Sequence, residues 1–293
     1  MSRIDEFFIG VKPQREWGWL VITYLFLGGA GAGLFLVSLY LRHGWAGALG
    51  IALLVAGAAL LLVDLGRPER FWRAFFHPRT SWISRGCFFI AAVVVFGGVQ
   101  TALRIMGLEA EPGTPAATVS VVMDSIAGAA ALLVMIYTGF VLAPSPAIPF
   151  WNSAFFPMVF FVYSLLAAID ILILSSPLLP GAALDIAWLE RSQGYLAVAC
   201  LILLLSHLSI MSGSAVAARA SIRLLTHGRW APFFLGGVVG AGLIVPLAFF
   251  TLAGGSDLKA VFAVTAVLAL LRLFGDYLFR FLVIRAGMYD PLL

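Results

Sequence analysis

The chain has 293 residues, 62% of them hydrophobic and 11% charged, with a mean hydropathy of +1.05 and a formal charge of +4. These values exclude an ordinary soluble domain. The apolar runs reach the roughly 20 residues that a helix needs to cross a bilayer, so the fold class expected is an all-α, polytopic integral membrane protein, with no nucleic-acid partner.

The first 16 residues (MSRIDEFFIGVKPQRE) mix both charge signs and lack a secretory h-region and cleavage site, which predicts an uncleaved first span. Eight spans follow from hydropathy: Trp19 to Leu41, Ala46 to Leu65, Cys87 to Ile105, Val119 to Leu142, Phe155 to Leu174, Gln193 to Met211, Ala231 to Ala253 and Lys259 to Arg285. Breaker-rich stretches such as Glu111-Pro-Gly-Thr-Pro115 and Ala143-Pro-Ser-Pro-Ala-Ile-Pro149 end helices between them. An even number of spans puts both termini on one side. That side carries Arg3, Lys12, Arg15, Arg219, Arg223, Arg229, Arg285 and five arginines of one connection; the other carries Arg42, Arg104, Arg191 and Lys259. The positive-inside rule then places both termini in the cytoplasm.

The five arginines lie in the connection from Asp64 to Gly86: Arg67, Arg70, Arg73, Arg79 and Arg85, interleaved with Phe71, Trp72, Phe75, Phe76 and Trp82. Such a segment fits the headgroup region as a plain cytoplasmic loop; it fits equally a docking surface beside a chemical site. The run Leu27-Gly-Gly-Ala-Gly-Ala-Gly33 sits inside the first span with no strand before it. It therefore predicts close helix–helix contact rather than a phosphate loop.

Ionisable groups at membrane depth cost about 2.5–3.5 kcal/mol on insertion scales, so each needs a partner, water or a role. Tyr24 early in the first span, Asp64 closing the second, His77 in the loop and Tyr137 near the end of the fourth are expected on one side at similar depth. A carboxylate, an imidazole and two phenols there suit a quinone, whose carbonyls need donors and whose reduction takes up two protons. Singly, each has a blander explanation: belt tyrosines, a carboxylate pairing with Arg67, an interfacial histidine. A second group comprises Asp124, Asp170 and the Arg272-x3-Asp276-x3-Arg280 series, whose i, i+4 spacing lets Asp276 neutralise one arginine or bridge both. Structural pairing between helices is one role for this group; a proton path through Asp124, Asp170, Asp276 and Arg272 is the other.

Of His43, His77, His207 and His227 only His207 lies within a span, so no axial pair for a haem and no clustered metal ligands are expected. Cys87 and Cys200 cannot ligate an iron–sulfur cluster on their own and read as small buried residues.

Several motifs resemble the NrfD/PsrC-type membrane subunits of polysulfide, tetrathionate and formate-dependent nitrite reductases. They are Trp17-Gly-Trp19 with Tyr24-Leu-Phe-Leu-Gly-Gly29, Asp64-Leu-Gly-Arg-Pro68, His77 to Gly86, Ile148-Pro-Phe-Trp-Asn152, and Arg280 to Gly287. The resemblance covers nearly the whole chain. It implies two four-helix bundles, here 19–142 and 155–285, in a prokaryotic cytoplasmic membrane, without haem. It implies a quinone pocket (menaquinone or ubiquinone) in the first bundle, close to a ferredoxin-like iron–sulfur subunit that serves a molybdopterin catalytic subunit. Several such members dock the iron–sulfur partner on the outer face, at the side carrying the termini, against the charge bias noted above. Tyr137 matches the family's tyrosine late in the fourth span, from its spacing to Pro149, Trp151 and Asn152. Tyr24 stands where members carry a histidine, and Val21 where they carry an asparagine one turn earlier.

The function expected is therefore a quinone-reactive subunit of a larger oxidoreductase, catalytic only within that complex. Tyr24 and Tyr137 would donate to the quinone, with Gly28 and Trp82 beside it. A buried Asp64, assisted by His77, would exchange protons, and the loop arginines would grip an acidic iron–sulfur partner. An ion-translocating subunit and a passive anchor are the alternatives.

Overall fold

The computed structural model of the chain describes residues 11–181, 184–252 and 262–290. Among these residues nine helices and one pair of short strands follow in order: β1 (Lys12–Pro13), α1 (Trp19–Leu41), α2 (Gly44–Asp64), α3 (Trp82–Ile105), α4 (Pro115–Leu142), α5 (Phe155–Ser175), α6 (Ile186–Ser212), α7 (Val216–Thr226), α8 (Pro232–Leu252), α9 (Phe262–Arg285) and β2 (Met288–Tyr289). A 3₁₀ segment, Pro68–Phe76, fills most of the α2–α3 connection.

Among the described residues seven helices, α1 to α6 and α8, are long and apolar enough to cross a membrane. This bears out the all-α membrane class. The ninth, α9, has 24 residues but carries Arg272, Asp276 and Arg280 in its middle. The expected end of the seventh span at Ala253 and start of the eighth at Lys259 lie outside the described residues, as do the first ten residues.

Four helices begin earlier than hydropathy suggests, because polar caps lengthen them, and in α4 the cap is Thr114, whose Oγ1 accepts from Ala117 N at 3.2 Å. His43 Nδ1 accepts from Ala46 N at 3.2 Å and starts α2, Ser81 Oγ accepts from Ser84 N at 3.3 Å and starts α3, and Asp185 accepts from Trp188 N at 3.0 Å and starts α6. Each satisfies a donor that the first helical turn leaves free. The short amphipathic helix α7 gives no hydropathy signal of its own.

Helix α1 is the centre of the bundle, packing against α2, α4, α5 and α9. Its glycine run explains how one helix meets so many neighbours. A Cβ on Gly31 would lie 2.6 Å from Gly50 O and Leu54 N of α2, and one on Gly33 would lie 2.7 Å from Ser164 O of α5. Two faces of the run thus admit two backbones, as the small-residue reading expects. On α3 a wide π-helical turn at Val93–Gly97 presents Gly97 to the ring of Phe35, where a Cβ would stand 2.5 Å from Cζ. Residues of both expected bundles, from Ile22 and Val134 to Phe160 and Phe279, meet in one apolar core. β1 and β2 pair antiparallel, Lys12 opposite Tyr289, and bring the two described ends of the chain side by side.

Candidate functional site

A cavity of about 300 Å³ opens between the start of α1, the end of α2, the 3₁₀ segment, the start of α3 and the end of α4. Its lining is largely apolar: Val21 and Leu25 from α1, Leu61, Leu62 and Leu65 around the end of α2, Phe71 and Ala74 from the loop, Ile83 and Cys87 from α3, and Val141 from α4. Four polar side chains interrupt it, namely Tyr24, Tyr137, Asp64 and Glu16.

The two phenols are held differently. Tyr24 is 3% exposed, and its hydroxyl is buried with no hydrogen-bond partner. Its ring lies over Gly28, where a Cβ would be 3.5 Å from Cε2. Gly28 thus supports Tyr24 from within α1 and does not line the cavity. Tyr137, also 3% exposed, packs edge-on to Phe89 at 6.4 Å between ring centres. Its hydroxyl passes close to Gly86, where a Cβ would lie 2.9 Å from the oxygen and nearer still to the ring. Any larger residue at 86 would push Tyr137 out of place.

Asp64 ends α2 at the mouth of the cavity and is exposed, not buried as expected. The chain breaks from helix at Leu65, and the arginine loop lies open above, with no buried residue in Pro68–Phe76, so nothing covers the carboxylate. Among the described residues Asp64 makes no ion pair, with Arg67 or any other cation. His77 caps the 3₁₀ segment, its side chain exposed and outside the cavity lining. Trp82 also lies outside the lining; it stacks on Phe140 at 4.5 Å and carries the Arg85 guanidinium at 4.4 Å from its ring centre.

The loop arginines divide by role. Arg85 Nε donates to Pro78 O and its Nη2 to Arg79 O, both at 2.8 Å, fastening the end of the loop to the first turn of α3. Arg70 stands 4.0 Å from Glu69, and Arg73 stacks near Trp72. Phe71, Trp72 and Phe76 are exposed beside them. The rim of the cavity is therefore both cationic and aromatic.

The second polar group is arranged otherwise. Arg272 does not use Asp276 on its own helix; its Nε donates to Asp170 of α5 at 2.8 Å, and Gln193 of α6 donates to the same oxygen at 2.6 Å. Asp276 takes both of its bonds from Arg280, at 2.9 and 3.3 Å. Arg280 also donates to Leu25 O of α1 at 3.1 Å and Ser164 of α5 at 3.3 Å, and lies over Phe160. Asp124 pairs with Arg104 near the start of α4, roughly 20 Å along that helix from Tyr137. His207, the histidine within a span, is buried among Phe150 and Phe156.

Glu16 is the cavity residue that the sequence does not single out. It lies before the first apolar run, and it reaches the site only because β2 returns beside β1, letting Tyr289 donate to its carboxylate at 2.7 Å. That bond, with two backbone contributions, holds the Glu16 carboxyl below its ordinary value, and the same bond raises Tyr289. Cys87, expected as a small buried residue, lines the cavity as part of its apolar wall.

In chemical terms the site offers phenolic donors within an apolar slot and two carboxylates at its mouth, Asp64 free and Glu16 held by Tyr289. That suits a flat apolar ring bearing carbonyl oxygens. The profile of the family described as "Polysulphide reductase, NrfD" matches residues 9–290. The "Protein NrfD" of Escherichia coli (strain K12) is 24% identical over 304 residues, covering 92% of this chain and 94% of that protein. The C subunit of the polysulfide reductase of Wolinella succinogenes is 27% identical over 304 residues, with the same coverage of each. The motifs resembling that family are thus matched along the whole length of the sequence, and this protein belongs to the NrfD polysulphide reductase family.

Proposed function

We propose that this protein is the quinone-reactive membrane subunit of a respiratory oxidoreductase complex, exchanging electrons between the quinone pool and a ferredoxin-like iron–sulfur subunit that serves a molybdopterin enzyme. The observation that carries the reading is the apolar cavity lined by two phenols, Tyr137 and Tyr24, the latter with a buried hydroxyl that has no partner among the described residues, and by an unpaired carboxylate at the mouth. Buried polar groups are normally satisfied, and an orphan donor on a side chain that lines a cavity is accounted for by a ligand acceptor. The volume, about 300 Å³, is at the small end of ligand pockets and fits a ring rather than a tail.

A bound quinone supplies the two-electron, two-proton redox chemistry. Tyr24 and Tyr137 hold its oxygens by donating hydrogen bonds, and the leucines, Val21, Val141 and Phe71 exclude water from its faces. Asp64, at the mouth and free of any cation, takes up or releases the protons at its carboxylate oxygens in contact with solvent. His77, at the far end of the 3₁₀ segment, relays to bulk water. The cationic, aromatic rim of Arg67, Arg70, Arg73 and Arg79, with Arg85 bracing it, receives the acidic surface of the iron–sulfur partner and steers its approach. In this reading α9 is an eighth span, its charges facing protein on every side, and both termini share the face on which the cavity opens, the cytoplasmic one by charge bias.

A second reading, proton translocation, is favoured by one observation. The other oxygen of Asp170 is buried without a partner, and both residues bonded to Asp170, Gln193 and Arg272, line a small cavity with Glu190 and Thr265. Asp124, Asp170, Asp276 and Arg272 would then be stations of a path. One experiment tests both readings. The complex is reconstituted in liposomes with a quinol donor, and electron transfer and proton movement are followed together. Asp64→Asn should lower quinone-linked turnover by at least about a hundredfold while the complex assembles, and undiminished turnover removes Asp64 from the mechanism. In complex that still assembles with Asp170→Asn, turnover should be kept; unchanged proton movement in that variant sinks the path.

A further inference from the structure

The structure carries a further cavity that the proposed reaction does not use. It is a groove of about 990 Å³ along one face of α7, closed on the other side by Val11 and Met288. Arg219, Arg223 and His227 recur along that face at i, i+4 and i+8, alternating with the aliphatic Val216, Ala220 and Leu224. The opposite face of α7, with Ala217, Ala218, Ser221 and Leu225, is buried against the bundle. The three basic side chains are exposed, and among the described residues none of them has an ion pair.

The level of the groove follows from its neighbours. Helix α7 joins the end of α6 to the start of α8, so it lies where two spans leave the bilayer. Immediately after it Arg229 stacks 5.0 Å over Trp230, whose ring packs against Phe233 and Phe281. A tryptophan and an arginine at that point mark the headgroup level. Cations one helical turn apart, set between aliphatic side chains at that level, match phosphate oxygens above and acyl carbons below. We propose that the α7 groove is a binding site for the headgroup of an anionic phospholipid, held by Arg219 and Arg223 with His227 at its end. A protein partner fits less well: the groove lacks the exposed aromatics that accompany the arginines of the 67–85 loop. The inference stands on geometry apart from the quinone site and does not depend on that reading.

The test uses the protein solubilised from its native membrane with the subunits that copurify. Phospholipid is extracted and quantified per protein for the wild type, Arg219→Gln/Arg223→Gln, and Arg191→Gln as a control on the other face. Melting curves are then taken with added phosphatidylglycerol, phosphatidylcholine or inorganic phosphate. The wild type and the control should retain anionic phospholipid and melt higher with phosphatidylglycerol only, while the double variant should hold it about tenfold more weakly or worse. If the double variant is not recovered, His227→Gln should show the same loss in smaller degree. Equal lipid content and equal melting shifts in wild type and variant would overturn the proposal. So would a shift reproduced by inorganic phosphate alone, or loss of a copurifying subunit with the lipid content unchanged.

Discussion

Two sets of polar side chains belong to this bundle, one made of charges paired with each other in the interior and one left open around a cavity. Around α9, Asp170 and Arg272, Asp276 and Arg280 are buried to 95% or more and bonded to one another, to Gln193, to Ser164 and to the backbone of Leu25. Around the cavity at the ends of α1, α2 and α4, among the described residues, the Tyr24 hydroxyl has no partner and Asp64 no cation. Charge buried in an apolar medium persists only when paired, so the first set reads as a clamp between α1, α5, α6 and α9. Groups left unpaired beside a cavity read as a binding site. The difference is one of accounting for donors and acceptors, not of residue type.

The largest effect should come from opening the clamp. Arg280→Ala would leave Asp276 buried without its partner and strip Leu25 O and Ser164 of their donor. Removing one member of a buried pair costs about 3–5 kcal/mol, so thermal unfolding in detergent should show a collapsed melting temperature or no folded protein. A variant that melts like the wild type would mean that the clamp does not hold the helices.

A finer contrast sets two orphan phenols against each other. Among the described residues Tyr163 is also buried with an unpartnered hydroxyl, but it is stacked on Phe279 at 4.7 Å and is not in the lining of the Tyr24 cavity. Tyr24→Phe should weaken binding of a quinone analogue by about three- to tenfold, the worth of one hydrogen bond, with the melting temperature unchanged. Tyr163→Phe should leave analogue binding alone. Equal losses in the two variants would erase the distinction between cavity and core.

Much of this arrangement is legible in the residue order, and the parts that are not have physical causes. Long apolar runs locate the helices because only helices satisfy their own backbone in lipid. The glycine run announces close packing, and Tyr24, Asp64 and Tyr137 fall at one level because rise per residue and alternating direction fix depth. Partner choice is hidden. The i, i+4 spacing points Arg272 at Asp276, yet Asp170 approaches from a helix 102 residues away in sequence. A buried Asp64 requires the loop to fold over it; that loop is a 3₁₀ segment with no buried residue. Glu16 is missed because its bond depends on β2 returning beside β1, 273 residues away in sequence at Tyr289. The amphipathic α7 escapes hydropathy because its apolar face consists mainly of small residues, Ala217, Ala218 and Ser221, which register weakly on such scales.

The smallest effect concerns the link that brings Glu16 to the cavity mouth. Tyr289 donates to the Glu16 carboxylate and holds its pKa below the ordinary 4.5. A carboxyl whose folded pKa is depressed adds stability that is present above its unfolded value and fades as pH falls through the folded one. Tyr289→Phe should therefore melt slightly below the wild type near neutral pH, and the gap should close as the pH is taken down past 4.5 and Glu16 is protonated in both proteins. The group is solvent-exposed, so the gap is small, and its pH dependence is the informative part. A gap that stays constant across the range would assign the loss to packing of the β1–β2 pair, leaving the carboxylate at the mouth with no hydrogen bond to orient it. Glu16 would then have no more claim on the site than any other surface acid, and the asymmetry between a held carboxylate and the free one at Asp64 would disappear.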